Sequence, residues 1–160
     1  RTLHSWSGIK LAKGPKDKVI DSVLFNKNAI KKWKKVKILI LDEVSMLSKK
    51  IFEIIEEIAR HAKKNDLPFG GIQVIFSGDF CQLPPVGNYG EKETSQFCFE
   101  SSIWNKVFPK DNIILLKKIF RQNDNEYANI LQHIRQGILK KQDYKLLKKR
   151  YCCWSFSSQR

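Results

Sequence analysis

Residues 36–46, VKILILDEVSM, constrain the fold of this chain more than any other stretch. Ile38–Leu41 is an unbroken apolar run with no polar face to offer water, so it predicts a central strand covered by helices on both sides. Asp42 and Glu43 follow where that strand ends. In open parallel sheets ligands lie at the carboxyl ends of the strands, which sets both acids beside a crevice. One carboxylate there can hold a divalent cation while its neighbour polarises a water molecule. Taken alone, the pattern fits equally well a strand that stops in a solvated acidic turn.

A second apolar run, residues 72–76 (IQVIF), leads into SGDFCQLPPV at residues 77–86. Gly78 permits a tight turn, Asp79 can cap or bond to the neighbouring loop, and Pro84 and Pro85 stiffen the exit. Gln82 offers an uncharged amide that both donates and accepts. Beside an Asp-Glu strand end it can touch a terminal phosphate and a water; in isolation it fits a solvent-facing loop as well. A third run, residues 113–116, precedes KKIFRQND. Each pair of runs is separated by a helix-length crossover. The expectation is therefore at least three parallel strands, near residues 36–42, 72–77 and 113–117, with Asp42, Gln82 and Arg121 on one edge. An arginine at that edge can reach a terminal phosphate with a planar fork of donors, although position alone favours a surface salt bridge.

A chain of 160 residues suits about one domain with its own core. Its 30 Lys and Arg against 16 Asp and Glu give a formal charge of +14. That surplus favours a polyanionic partner through counterion release, nucleic acid first, although an AT-rich genome enriches lysine in the same way. No apolar run approaches the roughly 18–20 residues of a membrane-spanning helix. No basic amphipathic helix stands out for a membrane surface, so no membrane partner is expected. Cys81, Cys98, Cys152 and Cys153 lack paired ligand spacing, and reduced intracellular thiols are expected rather than disulfides or zinc. The chain starts at Arg1 inside what reads as a motif, so it is expected to be a piece of a longer protein.

Along the chain, Thr2 and Ser5 can bond phosphates and Trp6 can stack a base; an ordinary turn accounts for the same residues. For His4, packing or capping ranks ahead of proton transfer. Residues 10–37 hold ten lysines and only Asp17 and Asp21, and predict a loop and then one helix over residues 18–33. Its lysines read first as a solvated face and second as a track for a phosphate backbone. Ser48 can cap a helix whose inward residues are Ile51, Ile54, Ile55, Ile58 and Ala62, with Glu53, Glu56 and Glu57 on the outer face and no chemistry assigned to them. Residues 88–95 read as a mobile polar loop. Phe97, Phe99, Ile103 and Trp104 read as core. Asp124 can cap a helix with Tyr127, Ile130, Leu131 and Ile134 inward and Gly137 closing it, and a last basic helix over residues 142–150 is expected to pack through Tyr144 and Leu147.

Taken together and in order, TLHSW, LILDEVSM, PFGGIQVIFSGDFCQLPPV, IFRQND and ILQHIRQG resemble the Pif-one-type DNA helicases of superfamily one. The resemblance covers Thr2 to about Arg150, and GDFCQLPPV carries most of it. It implies an α/β fold, a P-loop NTPase (RecA-like) parallel sheet flanked by helices. That sheet is incomplete and lacks the strand of the phosphate-binding loop, because no G-x-x-x-x-G-K-[ST] stretch occurs in the chain. Residues 1–150 would be a partial first motor domain and residues 151–160 a divergent tail. The implied activity is ATP-driven 5′ to 3′ translocation on single-stranded DNA with duplex unwinding, in DNA repair, recombination and telomere maintenance. The implied place is the nucleus or the mitochondrion, as a monomer acting at duplex or quadruplex junctions. ATP is the implied substrate and Mg²⁺ the cofactor. By the same resemblance Asp42 holds Mg²⁺, Glu43 activates water, Gln82 senses the γ-phosphate, and Arg121 is the arginine finger, with Asp42, Gln82 and Arg121 binding the nucleotide. Thr2, His4, Ser5 and Trp6 match the segment that touches DNA. The isolated chain is expected to be inactive. Two alternatives stay open: a non-catalytic nucleic-acid-binding remnant, and a P-loop ATPase acting on protein.

Overall fold

The computed structural model describes the chain apart from residues 119, 121–123 and 158–160; the side chains of residues 150 and 152–157 also lie outside the description. It divides into two compact units, Arg1–Ile114 and Leu115–Arg160.

In the first unit β1 (Ile38–Leu41) pairs in parallel with β2 (Gln73–Phe76), Leu39 beside Val74 and Leu41 beside Phe76. Parallel strands need a long crossover, and α4 (Lys49–Lys63) supplies it. Ser48 caps α4 by accepting the Ile51 N–H at 3.3 Å, and Ile54, Ile55, Ile58 and Ala62 are buried as their spacing predicts. Phe52 is fully buried as well, between the rings of Phe69, Phe76 and Trp104. The N-terminal helices α1 (Leu3–Ser7), α2 (Lys16–Leu24) and α3 (Lys27–Lys35) cover the rest of the core: α2 and α3 pack on α4, and α1 packs on α3. A short helix, α5 (Trp104–Val107), completes the unit.

Several expectations change, among them that Phe99 lies in the core, since it is exposed. The strand Ile38–Leu41 is covered on one face only: Leu39 is buried, while Ile38 and Ile40 are 52% and 68% exposed. Residues 113–116 form no strand; they run beyond a turn at Lys110–Asn112 and are exposed, because among the described residues no neighbouring strand takes up their backbone N–H and C=O groups. The helix expected over residues 18–33 is two helices. Asn26 breaks it, since its side chain accepts the Asn28 and Ala29 N–H groups and so starts α3 afresh. Glu56 does not sit on an outer face: it is buried, and its carboxylate takes the Phe69 N–H at 3.2 Å and the Arg60 Nε at 2.9 Å. Residues 88–95 are fastened down. The buried Lys50 ammonium donates to Glu91 and to the Gly14 carbonyl, both at 2.6 Å, and Lys16 pairs with Glu53 and Glu93.

In the second unit α6 (Asn125–Arg135) is capped by Asp124, which accepts the Tyr127 N–H at 3.0 Å. Ile130 is buried, but Leu131 and Ile134 are exposed. α7 (Lys141–Ser157) runs on past residue 150. Tyr144 is exposed there, and among the described side chains of this helix the buried one is Asp143, which accepts the Lys140 N–H at 2.7 Å and lies 2.9 Å from His133 Nδ1.

Candidate functional site

The parallel register decides where the acidic turn and the glutamine loop go. Leu41 and Phe76 are partners at the ends of β1 and β2, so Asp42 and Ser77 leave the sheet side by side, at its carboxyl edge. The ladder continues into both loops: the Ser77 N–H donates to the Leu41 carbonyl at 2.8 Å, and the Val44 N–H donates to the Ser77 carbonyl at 3.0 Å. The approach is close enough to require glycine. A Cβ on Gly78 would stand 2.7 Å from the Val44 nitrogen, a distance side chains do not tolerate.

Within this edge Asp42 accepts the Glu43 N–H at 3.0 Å, and both carboxylates are exposed. Glu43 has φ 54°, a left-handed backbone that non-glycine residues rarely adopt and that clusters at functional sites. It is the first residue of a sharp reversal, and it turns Val44 and Ser45 into the core. On the other loop Asp79 forms an Asx turn by accepting the Cys81 N–H, and Gln82 is exposed. The structure therefore brings Asp42 and Glu43 to one end of one sheet, beside the start of the loop that carries Gln82. Arg121 lies outside the described residues.

The sequence TLHSWSGI folds as a capped helix rather than a turn. Thr2 accepts the Ser5 N–H, and Gly8, at φ 85°, closes α1 against α3; a Cβ there would meet Ala29 Cβ at 2.8 Å. Trp6 packs edge-on against Trp33, ring centroids 4.7 Å apart, and Trp33 Nε1–H donates to the Ser7 carbonyl at 3.0 Å. Thr2 and Ser5 are exposed and His4 is half-buried.

Three residues that position these groups were not singled out from the sequence. Trp33 anchors α1, and its signal is the buried pair Ala29 and Trp33 in an otherwise lysine-rich helix. Ser45 is buried with no hydrogen-bond partner, directly behind the acidic turn. Cys98 is buried beside the Val44 carbonyl, and burial pushes its thiol up to about 12, so it stays an inert packing group.

Among the described residues no three His, Cys, Asp or Glu side chains gather as a metal cage. Two exposed carboxylates at a strand end are nevertheless the donor set that Mg²⁺ uses, since it takes one or two carboxylates and completes its shell with water and phosphate oxygens. The residues present fit that ion.

Comparison with known proteins gives a consistent result. A family model described as PIF1-like helicase matches residues 1–145. The ATP-dependent DNA helicase RRM3 of Saccharomyces cerevisiae is 44% identical over 138 residues, covering 86% of this chain and 19% of that protein. The crystal structure of Pif1 helicase from Candida albicans superposes with a TM-score of 0.80 at 36% identity, over 90% of this chain and 31% of that one. Pif1 helicase from Bacteroides, crystallised with ADP-AlF3 and single-stranded DNA, gives 0.73 at 31% identity, over 91% and 35%. The chain thus spans about a fifth to a third of the length of these relatives.

Proposed function

The chain belongs to the PIF1-like helicase family, a partial α/β domain of the RecA-like P-loop type; from that premise we propose that residues 1–150 are part of the first motor domain of an ATP-dependent DNA helicase, with residues 151–160 a divergent tail. The motor moves 5′ to 3′ along single-stranded DNA and opens duplex or quadruplex junctions as a monomer, in the nucleus or the mitochondrion. Repair, recombination and telomere maintenance are its settings. One contact carries the assignment: the Val44 N–H to Ser77 carbonyl bond, which ties the acidic turn to the glutamine loop at the carboxyl edge of a parallel sheet.

At that edge Asp42 would hold Mg²⁺, which would neutralise charge on the terminal phosphates. Glu43 accepts the proton of the attacking water. Gln82 touches the γ-phosphate with a neutral amide and so distinguishes triphosphate from diphosphate. Arg121 is assigned the arginine finger on the family resemblance alone, a role in which loss of the side chain costs a factor of about 10³ or more in turnover. Thr2, His4, Ser5 and Trp6 contact the DNA strand. The Bacteroides relative, crystallised with a nucleotide analogue and single-stranded DNA, supports both ligand classes. By itself the chain does not turn over ATP, for it contains no phosphate-cradling loop.

A chimera tests this. The chain replaces the matching segment of the yeast RRM3 helicase, to which it is 44% identical. DNA-stimulated phosphate release and nucleotide affinity are then measured. The chimera should turn over, and Glu43→Gln should abolish turnover while leaving nucleotide and DNA binding intact, because the amide keeps the shape but cannot accept a proton. An unchanged rate in Glu43→Gln would make the acidic pair a solvated strand end and overturn the assignment.

A further inference from the structure

We infer that the exposed face of α3 is a second contact for the phosphodiester backbone of a DNA strand, on the helix that α1 packs against; the inference rests on the DNA-binding reading of α1 given above. α3, KNAIKKWKK, carries five lysines and no acid. Lys27, Lys31, Lys34 and Lys35 are all exposed. Their spacing of four, seven and eight residues puts them in one row, opposite the buried Ala29 and Trp33. The fifth, Lys32, is half-buried and reaches the Trp6 carbonyl at 3.4 Å.

The row differs from the four lysines that pack around α4. Lys16, Lys49 and Lys50 pair with Glu53, Glu91 or Glu93, and Lys63 donates to the Lys34 and Val36 carbonyls. Among the described residues none of the four α3 lysines has an acidic partner. Nor does the helix gain from them as a set. Lys34 and Lys35 suit the negative end of the helix dipole, but Lys27 stands at the positive end. Lys27 with Lys31, and Lys31 with both Lys34 and Lys35, are like charges three or four residues apart, which weaken a helix. A polyanion lying along the row would offset these repulsions with attraction to every lysine in it.

Geometry fits that ligand. At 1.5 Å of rise per residue, Lys27, Lys31 and Lys35 climb in steps of about 6 Å, comparable with the spacing of phosphates along an extended strand. Ammonium groups on flexible stems bind phosphates as point charges and read no bases, so the contact is independent of sequence. α3 is also fixed to α1 through Trp33, by its bond to Ser7 and its ring contact with Trp6, so the row and α1 are held in a fixed relation.

The experiment compares two variants of equal charge. In one, Lys27, Lys31, Lys34 and Lys35 become Gln; in the other, the exposed Lys64, Lys106, Lys110 and Lys117 become Gln. Glutamine keeps helix propensity close to that of lysine, and a third variant with Arg at the four α3 positions keeps the charge. The 160-residue chain is titrated by anisotropy with a labelled oligo-dT strand and with a duplex of the same length, over a range of salt. The row variant should lose more than tenfold in affinity at low salt. Its log-log salt slope on single strands should become shallower by about 2–3, at about 0.7 for each phosphate no longer neutralised, while the control shifts by less than about 1 and the Arg variant retains the slope. Loss on the oligo-dT arm assigns the row to single strands, and loss on the duplex arm alone assigns it to duplex backbone. Equal loss in row and control variants overturns the inference, as does an Arg variant no better than the Gln one. If the row variant binds like wild type while Thr2→Ala with Ser5→Ala weakens binding, the row falls and the α1 reading stands. A wild-type chain that binds neither probe at low salt overturns both.

Discussion

Ile38–Leu41 and residues 113–116 are nearly the same peptide, ILIL and IILL, yet only the first is a strand. In β1 the backbone is paired with Gln73–Phe76 and Leu39 sits at 7% exposure. In the second run the four side chains are 61%, 84%, 72% and 88% exposed. Composition cannot explain this, since both runs are branched, apolar and free of glycine. The difference lies in what reaches them. A 15-residue amphipathic helix, α4, returns the chain so that β2 lands beside β1, whereas no strand among the described residues lies beside the second run. An extended run becomes a strand only when another backbone satisfies its N–H and C=O groups, and two strands are the least that can do so.

The largest test of this comparison is a pair of truncations. Leu39→Ala removes a buried side chain and should cost about 2–5 kcal/mol in a urea melt, whereas Ile114→Ala, at 84% exposure, should stay within about 0.5 kcal/mol. Similar losses at both positions would mean that the second run is packed in solution. Next comes Gly78→Ala. Its Cβ would press on the Val44 nitrogen at 2.7 Å, so the loops at the carboxyl edge must separate, at a cost of about 1–3 kcal/mol. Hydrogen exchange should quicken at the Val44 amide and stay unchanged around residue 114. A variant as stable as wild type, with Val44 still protected, would show that the two loops are loosely held.

The same contrast explains which features could be read from the sequence. β1, β2, α4 and its Ser48 cap depend on local periodicity and one side chain, and each is where the pattern puts it. The adjacency of Asp42 and Glu43 to the Gln82 loop followed from the parallel crossover rule alone. What was not legible depends on partners distant in the chain. Glu56 looks like a solvated helix residue until Phe69, 13 residues on, brings it a buried N–H. Glu91 looks like part of a polar loop until Lys50 meets it from 41 residues away. The break at Asn26 was hidden for another reason: apolar positions on both sides keep the helical period, so the capping side chain was the one signal.

A smaller effect concerns the clamp that fixes the chain between the two runs. The hydrogen bond from Lys50 holds the Glu91 carboxyl below its ordinary value, helped by the Gly14 N–H, and Lys16 does the same for Glu93. A carboxylate depressed in the fold stabilises above its unfolded pKa of about 4.3, and that contribution is lost as pH falls toward the folded value. Wild-type Tm should therefore drop more steeply than that of Glu91→Gln between about pH 5 and pH 3, with the variant already less stable at pH 7 because buried Lys50 has lost its counter-charge. Parallel pH profiles would show that Glu91 and Lys50 are not paired in solution.

The smallest expected change separates pairing from burial within β1 itself. Ile40 lies in the ladder but on the open face, at 68% exposure, so it resembles Ile114 in burial and Leu39 in backbone. Ile40→Thr keeps the β-branch that suits a strand and exchanges an exposed ethyl group for a hydroxyl, so stability should move by no more than about 0.5 kcal/mol. The ladder should be untouched, which exchange protection at the Ser77 amide, bonded to the Leu41 carbonyl, would report. If Ile40→Thr instead costs as much as Leu39→Ala, the open face formed by Ile38, Ile40 and Ile75 is covered in solution. Sedimentation of wild type and variant over a range of concentrations would then show whether a second copy of the chain covers it.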